Sequence, residues 1–200
     1  PQSLRDANEK FFATQFPECM APTIVSADIE RLLQFHQQHK KVVFKPLDGM
    51  GGAGIFLADV VIDQAWLRHK LDDLSGQDRL PLMGQLYLPE IAQGDKRILM
   101  IAGEPVPYAL ARIPKQGAFL GNLAAGGRGE GLELTDRDRW ICGQVGPRLK
   151  AMGLWFVGLD VIGDYLTEIN VTSPTCIWEI DAAFGTNIAA DFLDVCEQAL

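Results

Sequence analysis

The sequence predicts an α+β fold with antiparallel strands, and three stretches carry that expectation. Lys41-Val-Val-Phe-Lys45, a glycine loop and Ile55 to Val60 read as strand, loop and strand. Lys96 to Ala102 and Glu104 to Ala111 read as two strands joined through Ala102-Gly103, a hairpin signal. Leu154 to Val171 reads as a further hairpin that closes the sheet.

The other elements follow in order. Residues 3–16 read as a helix, with Ser3 as N-cap and Asp6 in the first turn. Pro17 and Pro22 bracket a linker, and Ser26 is placed to cap a helix over 27–40. Pro46 stops the strand that follows. Residues 63–74 are helical in pattern, and Leu82 to Leu88 is a strand. Residues 114–131 hold Gly, Ala and polar residues without periodicity, the composition of a lid or a disordered segment. Thr135 is placed to cap a helix reaching Met152, with Asp136 and Asp138 in its first turn. Asp181 onward runs into a C-terminal helix, and no internal repeat is visible.

Two hundred residues make one large domain or two small lobes. With 48% apolar and 22% charged residues, disordered and low-complexity classes are excluded. No run approaches the roughly 18 to 20 apolar residues of a membrane span. Eighteen basic against twenty-six acidic side chains give −8, which argues against a nucleic-acid partner. A phosphate substrate must then be held by local donors and a metal, because the global field repels it. Cys19, Cys142, Cys176 and Cys196 are scattered without a C-x-x-C pair, as buried reduced thiols of a cytoplasmic protein are. His36, His39 and His69 lie in polar helical stretches and read as parts of solvated helix faces rather than metal ligands. The chain opens Pro1-Gln-Ser with no initiator methionine, as a fragment of a longer protein does.

The first chemical constellation is Lys45 followed by Gly49, Gly51, Gly52 and Gly54. Glycines let main-chain N–H groups crowd onto an anion, and the ammonium of Lys45 can reach the same phosphates. Gly49-Met-Gly-Gly-Ala-Gly54 spells the dinucleotide fingerprint, yet that motif needs a helix after its last glycine and a strand pattern follows here. The loop therefore reads as a hairpin folded over a polyphosphate.

The second constellation is Asp160 with Glu168 and Asn170. On a strand Glu168 and Asn170 project to one face, about 6.6 Å apart. A two-residue turn at Gly163-Asp164 would set Asp160 opposite Thr167; a three-residue turn including Tyr165 sets it opposite Glu168, with Asn170 opposite Gly158. Only the second register gathers Val157, Leu159, Val161, Thr167, Ile169 and Val171 on one face, so the three-residue turn is expected. Two carboxylates and an amide oxygen then form an oxygen-rich site suited to Mg²⁺ bridging nucleotide phosphates.

The third constellation is cationic: Arg97, Arg112 and Arg128, placed to clamp a carboxylate or a transferring phosphoryl group, with Arg128 carried on the lid. No Ser-His-Asp or Cys-His arrangement is visible. An enzyme that activates a carboxylate with ATP needs none, since the substrate carboxylate is itself the nucleophile.

Lys45-Pro-Leu-Asp-Gly-Met-Gly-Gly52, Gly94-Asp-Lys-Arg97, Glu104-Pro-Val-Pro-Tyr108, Leu110-Ala-Arg-Ile-Pro114, Gly121-Asn-Leu-Ala-Ala-Gly-Gly-Arg-Gly-Glu130, Phe156-Val-Gly-Leu-Asp160 and Leu166-Thr-Glu-Ile-Asn-Val-Thr-Ser-Pro-Thr175 together resemble bacterial glutathione synthetase, an ATP-grasp ligase family. The resemblance implies an ATP-grasp fold, two α+β lobes gripping ATP between antiparallel sheets, divided here into residues 1–84 and 85–200. It implies joining of γ-glutamylcysteine to glycine through an acyl phosphate, with ADP and phosphate released. By the same resemblance Lys10 and Lys45 contact ATP phosphates below Gly49, Gly51 and Gly52. Gln85, Tyr87 and Leu88 form the adenine hinge, and Asp95 lies near the ribose. Asp160, Glu168 and Asn170 hold Mg²⁺ or Mn²⁺, while Arg97 and Arg112 stabilise the acyl phosphate. Asn170 and Ser173 border the peptide substrate. Residues 114–131 form the lid, with Leu120 and Trp178 standing where relatives carry basic side chains. The family adds an N-terminal substrate domain not contained in these residues, and the resemblance implies a cytoplasmic homotetramer without nucleic-acid or membrane partners. The rival readings are another ATP-grasp carboxylate–amine ligase, such as a ribosomal-protein glutamate ligase, a non-catalytic Mg-ATP-binding module, and a dinucleotide oxidoreductase.

Overall fold

The computed structural model describes residues 2–49, 51–77, 79–115, 121 and 126–199. Its first helix is short. Gln2–Asp6 (α1) ends where the Asn8 side chain accepts hydrogen bonds from the main-chain N–H groups of Lys10 and Phe11. That local acceptor competes with the helix ladder, so the helix expected over 3–16 resumes only as a 3₁₀ turn at Phe12–Gln15. Ser3 lies inside α1, and its hydroxyl donates to the carbonyl of Met152 at 2.6 Å instead of capping.

The chain divides into two compact units, Met20–Pro89 and Pro1–Cys19 with Glu90–Leu200. The expected boundary at 84/85 is thus displaced, and the first nineteen residues belong with the second unit. One tie explains why: the main-chain N–H of Ile169 donates to the carbonyl of Glu9 at 2.8 Å.

In the unit Met20–Pro89, four antiparallel strands stand in the order β1-β4-β2-β3: Thr23–Ser26 (β1), Val42–Pro46 (β2), Phe56–Ala58 (β3) and Leu82–Leu86 (β4). Ile29–His39 (α2) and Gln64–Ser75 (α3) cover one face. Asp28, not Ser26, caps α2 by accepting from Glu30 and Arg31, while Ser26 accepts from the N–H of Asp28. The core joins Leu32, Leu33, Val42, Phe44, Leu67, Leu71 and Leu82, each side chain contributing roughly 1.5–3 kcal/mol of burial. A strand follows the glycine loop, so the dinucleotide fingerprint is excluded.

In the other unit five antiparallel strands stand in the order β7-β6-β5-β8-β9: Asp95–Ile101 (β5), Glu104–Ile113 (β6), Arg128–Glu133 (β7), Phe156–Ile162 (β8) and Tyr165–Asn170 (β9). The hairpin at Ala102-Gly103 forms as expected, with φ positive at both residues, 49° and 90°. Residues 128–131, expected in a lid without periodicity, pair with β6 as an edge strand; residues 116–120 and 122–125 of that expected lid, Leu120 among them, lie outside the described residues. Asp136–Ala151 (α4) starts at Thr135, whose capping box with Asp138 is complete. The single C-terminal helix expected from Asp181 is two, Ile177–Phe184 (α5) and Ile188–Gln198 (α6), because Gly185 turns left-handed at φ 68°. Leu99, Val106, Leu110, Cys176, Ile180 and Ile188 form a core cluster there.

Of the three histidine readings one fails: His69 is exposed and His39 half-buried, but His36 is not on a solvated face. His36 is buried, and its Nε2 lies 3.0 Å from the carbonyl of Asp59. Cys19, Cys142 and Cys176 are buried and free; Cys196 is half-buried. Burial, with Glu18 adding to it, raises the Cys19 thiol to about 11, and burial with Asp138 raises Cys142 to about 12. No helix among the described residues is long and apolar enough to cross a membrane.

Candidate active site

The hairpin β8–β9 brings Asp160 directly opposite Glu168, and Gly158 opposite Asn170, as the apolar pattern predicts. The turn itself differs. Ile162 pairs with Tyr165 across a two-residue turn at Gly163-Asp164, and the register shifts between Asp160 and Val161. Thr167 is the extra residue of a β-bulge, not Tyr165 of the turn, and its hydroxyl donates to the carbonyl of Asp160 at 3.1 Å. Leu159 and Ile169 are fully buried, so the apolar face holds the register.

Asp160 is 4% exposed, yet it is not turned into an apolar interior. Arg97, 5% exposed on β5 directly across from Asp160, donates Nε to Oδ1 at 2.6 Å and Nη2 to Oδ2 at 3.1 Å. Arg112 places Nη2 3.0 Å from the same Oδ2. Burial alone would raise the Asp160 carboxyl, but Arg112 and Arg97 outweigh it and hold it down to about 2. Both guanidinium groups are correspondingly raised: burial works against their charge, and Asp160 more than restores it.

Asp95 belongs to this cluster. Its Oδ2 accepts from Arg112 Nη2 at 2.6 Å, and burial pushes its carboxyl up to about 7 against the pull of Arg112. Lys10 is buried, with Nζ 3.8 Å from Glu168 Oε1. Asn170 donates Nδ2 to the carbonyl of Gly158 at 3.4 Å, a contact that uses the amide nitrogen and not the amide oxygen.

The chemistry of these residues suits a hard divalent cation: two carboxylates in register, Asp160 kept ionised by its arginines, and an amide on the strand that carries Glu168. Among the described residues no group of three His, Cys, Asp or Glu side chains is placed to hold a metal ion.

In the unit Met20–Pro89, Lys45 Nζ donates to Gln85 Oε1 at 3.2 Å, and Gln85 Nε2 to Thr23 Oγ1 at 3.2 Å. Two of the expected nucleotide-binding side chains are therefore adjacent. Tyr87 N donates to the carbonyl of Lys41, whose ammonium lies 4.0 Å from the Tyr87 ring centre. Leu88 is buried. Gly51 and Gly52 hold φ at 62° and 87°, which favours glycine, and a Cβ on Gly49 would approach the carbonyl oxygen of Ala53 to 2.8 Å.

Arg128 stands apart from the other two arginines. Its side chain is 74% exposed and pairs with Glu130 at 2.9 Å. Ser173 is exposed in a strained stretch where Ser173 and Cys176 both have positive φ, 46° and 86°. Within it Thr175 Oγ1 accepts from Arg97 Nη1 at 3.4 Å, a contact that sequence reasoning missed; its place two residues after Ser173 is the signal that was present. Trp178, on α5, is 83% exposed.

The family model described as prokaryotic glutathione synthetase, ATP-grasp domain, matches residues 9–185. Glutathione synthetase of Pseudomonas aeruginosa is 57% identical over 203 residues, covering 97% of this chain and 61% of that protein. The Coxiella burnetii protein of the same name is 51% identical over 197 residues, covering 98% and 61%. The chain thus spans about three-fifths of the length of the curated relatives it matches. Among solved structures, the ATP-grasp ligase PsnB complexed with minimal precursor, Mg and ADP superposes with TM-score 0.67 at 18% identity, covering 98% of this chain and 59% of that one. D-alanyl-alanine synthetase A from Vibrio cholerae superposes with TM-score 0.63 at 12% identity, covering 98% and 66%. The fold is ATP-grasp.

Proposed function

Because the chain belongs to the prokaryotic glutathione synthetase family through its ATP-grasp domain, we propose that it carries out the ATP-dependent joining of γ-glutamylcysteine to glycine, with release of ADP and phosphate. The observation that carries this reading is Asp160 opposite Glu168, with Arg97 and Arg112 on the Asp160 carboxylate.

The roles divide by charge. Lys45 and the main-chain N–H groups of Gly49, Gly51 and Gly52 meet nucleotide phosphates, and Gln85, Tyr87 and Leu88 meet adenine. Asp160, Glu168 and Asn170 hold Mg²⁺ or Mn²⁺, which when bound neutralises phosphate oxygens. Lys10, already against Glu168, adds a buried positive charge beside that set. The carboxylate of the peptide substrate attacks the γ-phosphorus of ATP; Arg97 and Arg112 hold the acyl phosphate by its oxygens. Their guanidinium groups then stabilise the oxyanion formed when the glycine amine attacks the acyl carbon and phosphate leaves. Asn170 and Ser173 border the peptide, and Arg128 supplies further positive charge.

An ADP-release assay on the full-length protein tests this reading. We expect release that requires γ-glutamylcysteine and glycine together. Release supported instead by glutamate and a peptide acceptor would assign another carboxylate–amine ligation. Nucleotide binding with no release under any acceptor pair would assign a non-catalytic module.

A further inference from the structure

Arg97 and Arg112 are held very differently. All three nitrogens of Arg97 are engaged, two by Asp160 and one by Thr175. Arg112 meets Asp160 through Nη2 alone, at 3.0 Å. Its closer partner is Asp95: the same Nη2 lies 2.6 Å from Asp95 Oδ2, and Nε donates to the Asp95 carbonyl at 3.3 Å. Asp95 therefore grips Arg112 by main chain and side chain together, from the position directly opposite it on β5 and β6.

Two further observations show that this grip is built into the fold. A Cβ on Gly94 would come within 2.9 Å of the Ala111 Cβ, so glycine there admits the close approach of the strand that carries Asp95. A Cβ on Gly121 would clash with the Arg112 carbonyl oxygen and fall 3.0 Å from Asp95 Cβ, so the main chain of Gly121 lies directly on the pair. Asp95 is consequently 18% exposed in its side chain, and Oδ1 is buried without a hydrogen-bond partner among the described residues. A carboxylate buried with one oxygen unmatched is costly, and such cost is tolerated where the other oxygen has a task.

We propose that Asp95 is the positioning residue for Arg112, holding its guanidinium beside Asp160 in the orientation that receives the transferring phosphoryl group. Asp95 does this through Arg112 and not through the ribose. With Asp95 ionised, the four groups Asp95, Asp160, Arg97 and Arg112 also balance in charge. Without the Asp95 carboxylate, Arg112 retains Asp160 as its only anionic partner among the described residues and collapses onto a ligand of the proposed cation. This rests on the ligase reading above.

Steady-state kinetics of Asp95→Asn in the full-length protein separates the alternatives. We expect kcat to fall at least tenfold while KM for MgATP stays within twofold. We also expect Asp95→Asn to add less than twofold to the loss already caused by Arg112→Lys, because both act on one group. A raised KM for MgATP with kcat retained would place Asp95 on the nucleotide and overturn the proposal, as would multiplicative losses in the double variant. Asp95→Glu keeps the charge but displaces the guanidinium, so it serves should the amide variant not fold; kcat within twofold of the parent there would also overturn the proposal. Absence of γ-glutamylcysteine- and glycine-dependent ADP release in the parent protein would instead overturn the functional reading, and is read before any variant is made.

Discussion

Asp160 and Glu168 stand directly opposite each other across the β8–β9 ladder because Thr167 is left out of it. The turn at Gly163-Asp164, if continued in strict pairing, would oppose Asp160 to Thr167 and send Glu168 to the buried face. One bulged residue restores the alignment and lets Leu166 and Ile169 stay in the core while Glu168 stands opposite Asp160, against Lys10.

Thr167→Ala removes the hydroxyl bond to the Asp160 carbonyl but not the bulge. It is expected to cost about 1 kcal/mol, lowering the melting temperature by about 2–4 °C, with turnover within twofold of the parent. A scanning calorimetry trace and an ADP-release rate check both halves; a tenfold loss of turnover would mean that the hydroxyl itself shapes the site.

Gly158→Ala is expected to act on chemistry more than on folding. The added Cβ would lie 2.8 Å from Pro174 Cβ and 2.9 Å from Arg97 Cδ, so the stem of Arg97 or the segment bearing Ser173 and Thr175 must move. Stability is expected to fall by about 1–3 kcal/mol, and turnover by more than tenfold. Unchanged turnover in a protein destabilised to that degree would show that Arg97 tolerates displacement.

The pH dependence of stability carries the mark of Asp95. Burial, aided by Asp160 and Glu168 and opposed by Arg112, raises its carboxyl from the ordinary 3.8 to about 7. Between those values the folded protein holds a proton that the unfolded chain has released, so stability from this group rises as pH falls from 7 to 4. Asp160, held down to about 2, contributes in the opposite sense and only below its ordinary 3.8, so it leaves that window clear. Urea midpoints of the parent and Asp95→Asn at pH 7.5 and 4.5 are expected to show the parent gaining relative to the variant at the lower pH. An unchanged difference would mean that Asp95 titrates normally.

How much of this was legible depends on which pairing rule is asked. The alternation of Val157, Leu159 and Val161 with Asp160 fixed the register, since a slip would bury Glu168. It could not say whether the extra residue sits in the turn or at Thr167, because both placements give the same opposition. The Asp95–Arg112 pair was illegible for a related reason. Counting outward from Ile101 opposite Glu104 in strict alternation sets Asp95 against Leu110. The irregularity around Pro107, which has no N–H for the ladder, shifts β6 until Arg112 faces Asp95. His36 was legible and misread: with Ile29, Leu32 and Leu33 it completes the buried stripe of α2 at helical spacing.

The central claim is that Asp160, Glu168 and Asn170 together hold a divalent cation. Anomalous diffraction from crystals of the full-length protein, grown with Mn²⁺ and a non-hydrolysable ATP analogue, tests it most directly. The account predicts an anomalous peak in coordination contact with oxygens of all three side chains, at about 2.0–2.6 Å. A peak that none of the three touches, with the nucleotide bound, would contradict it.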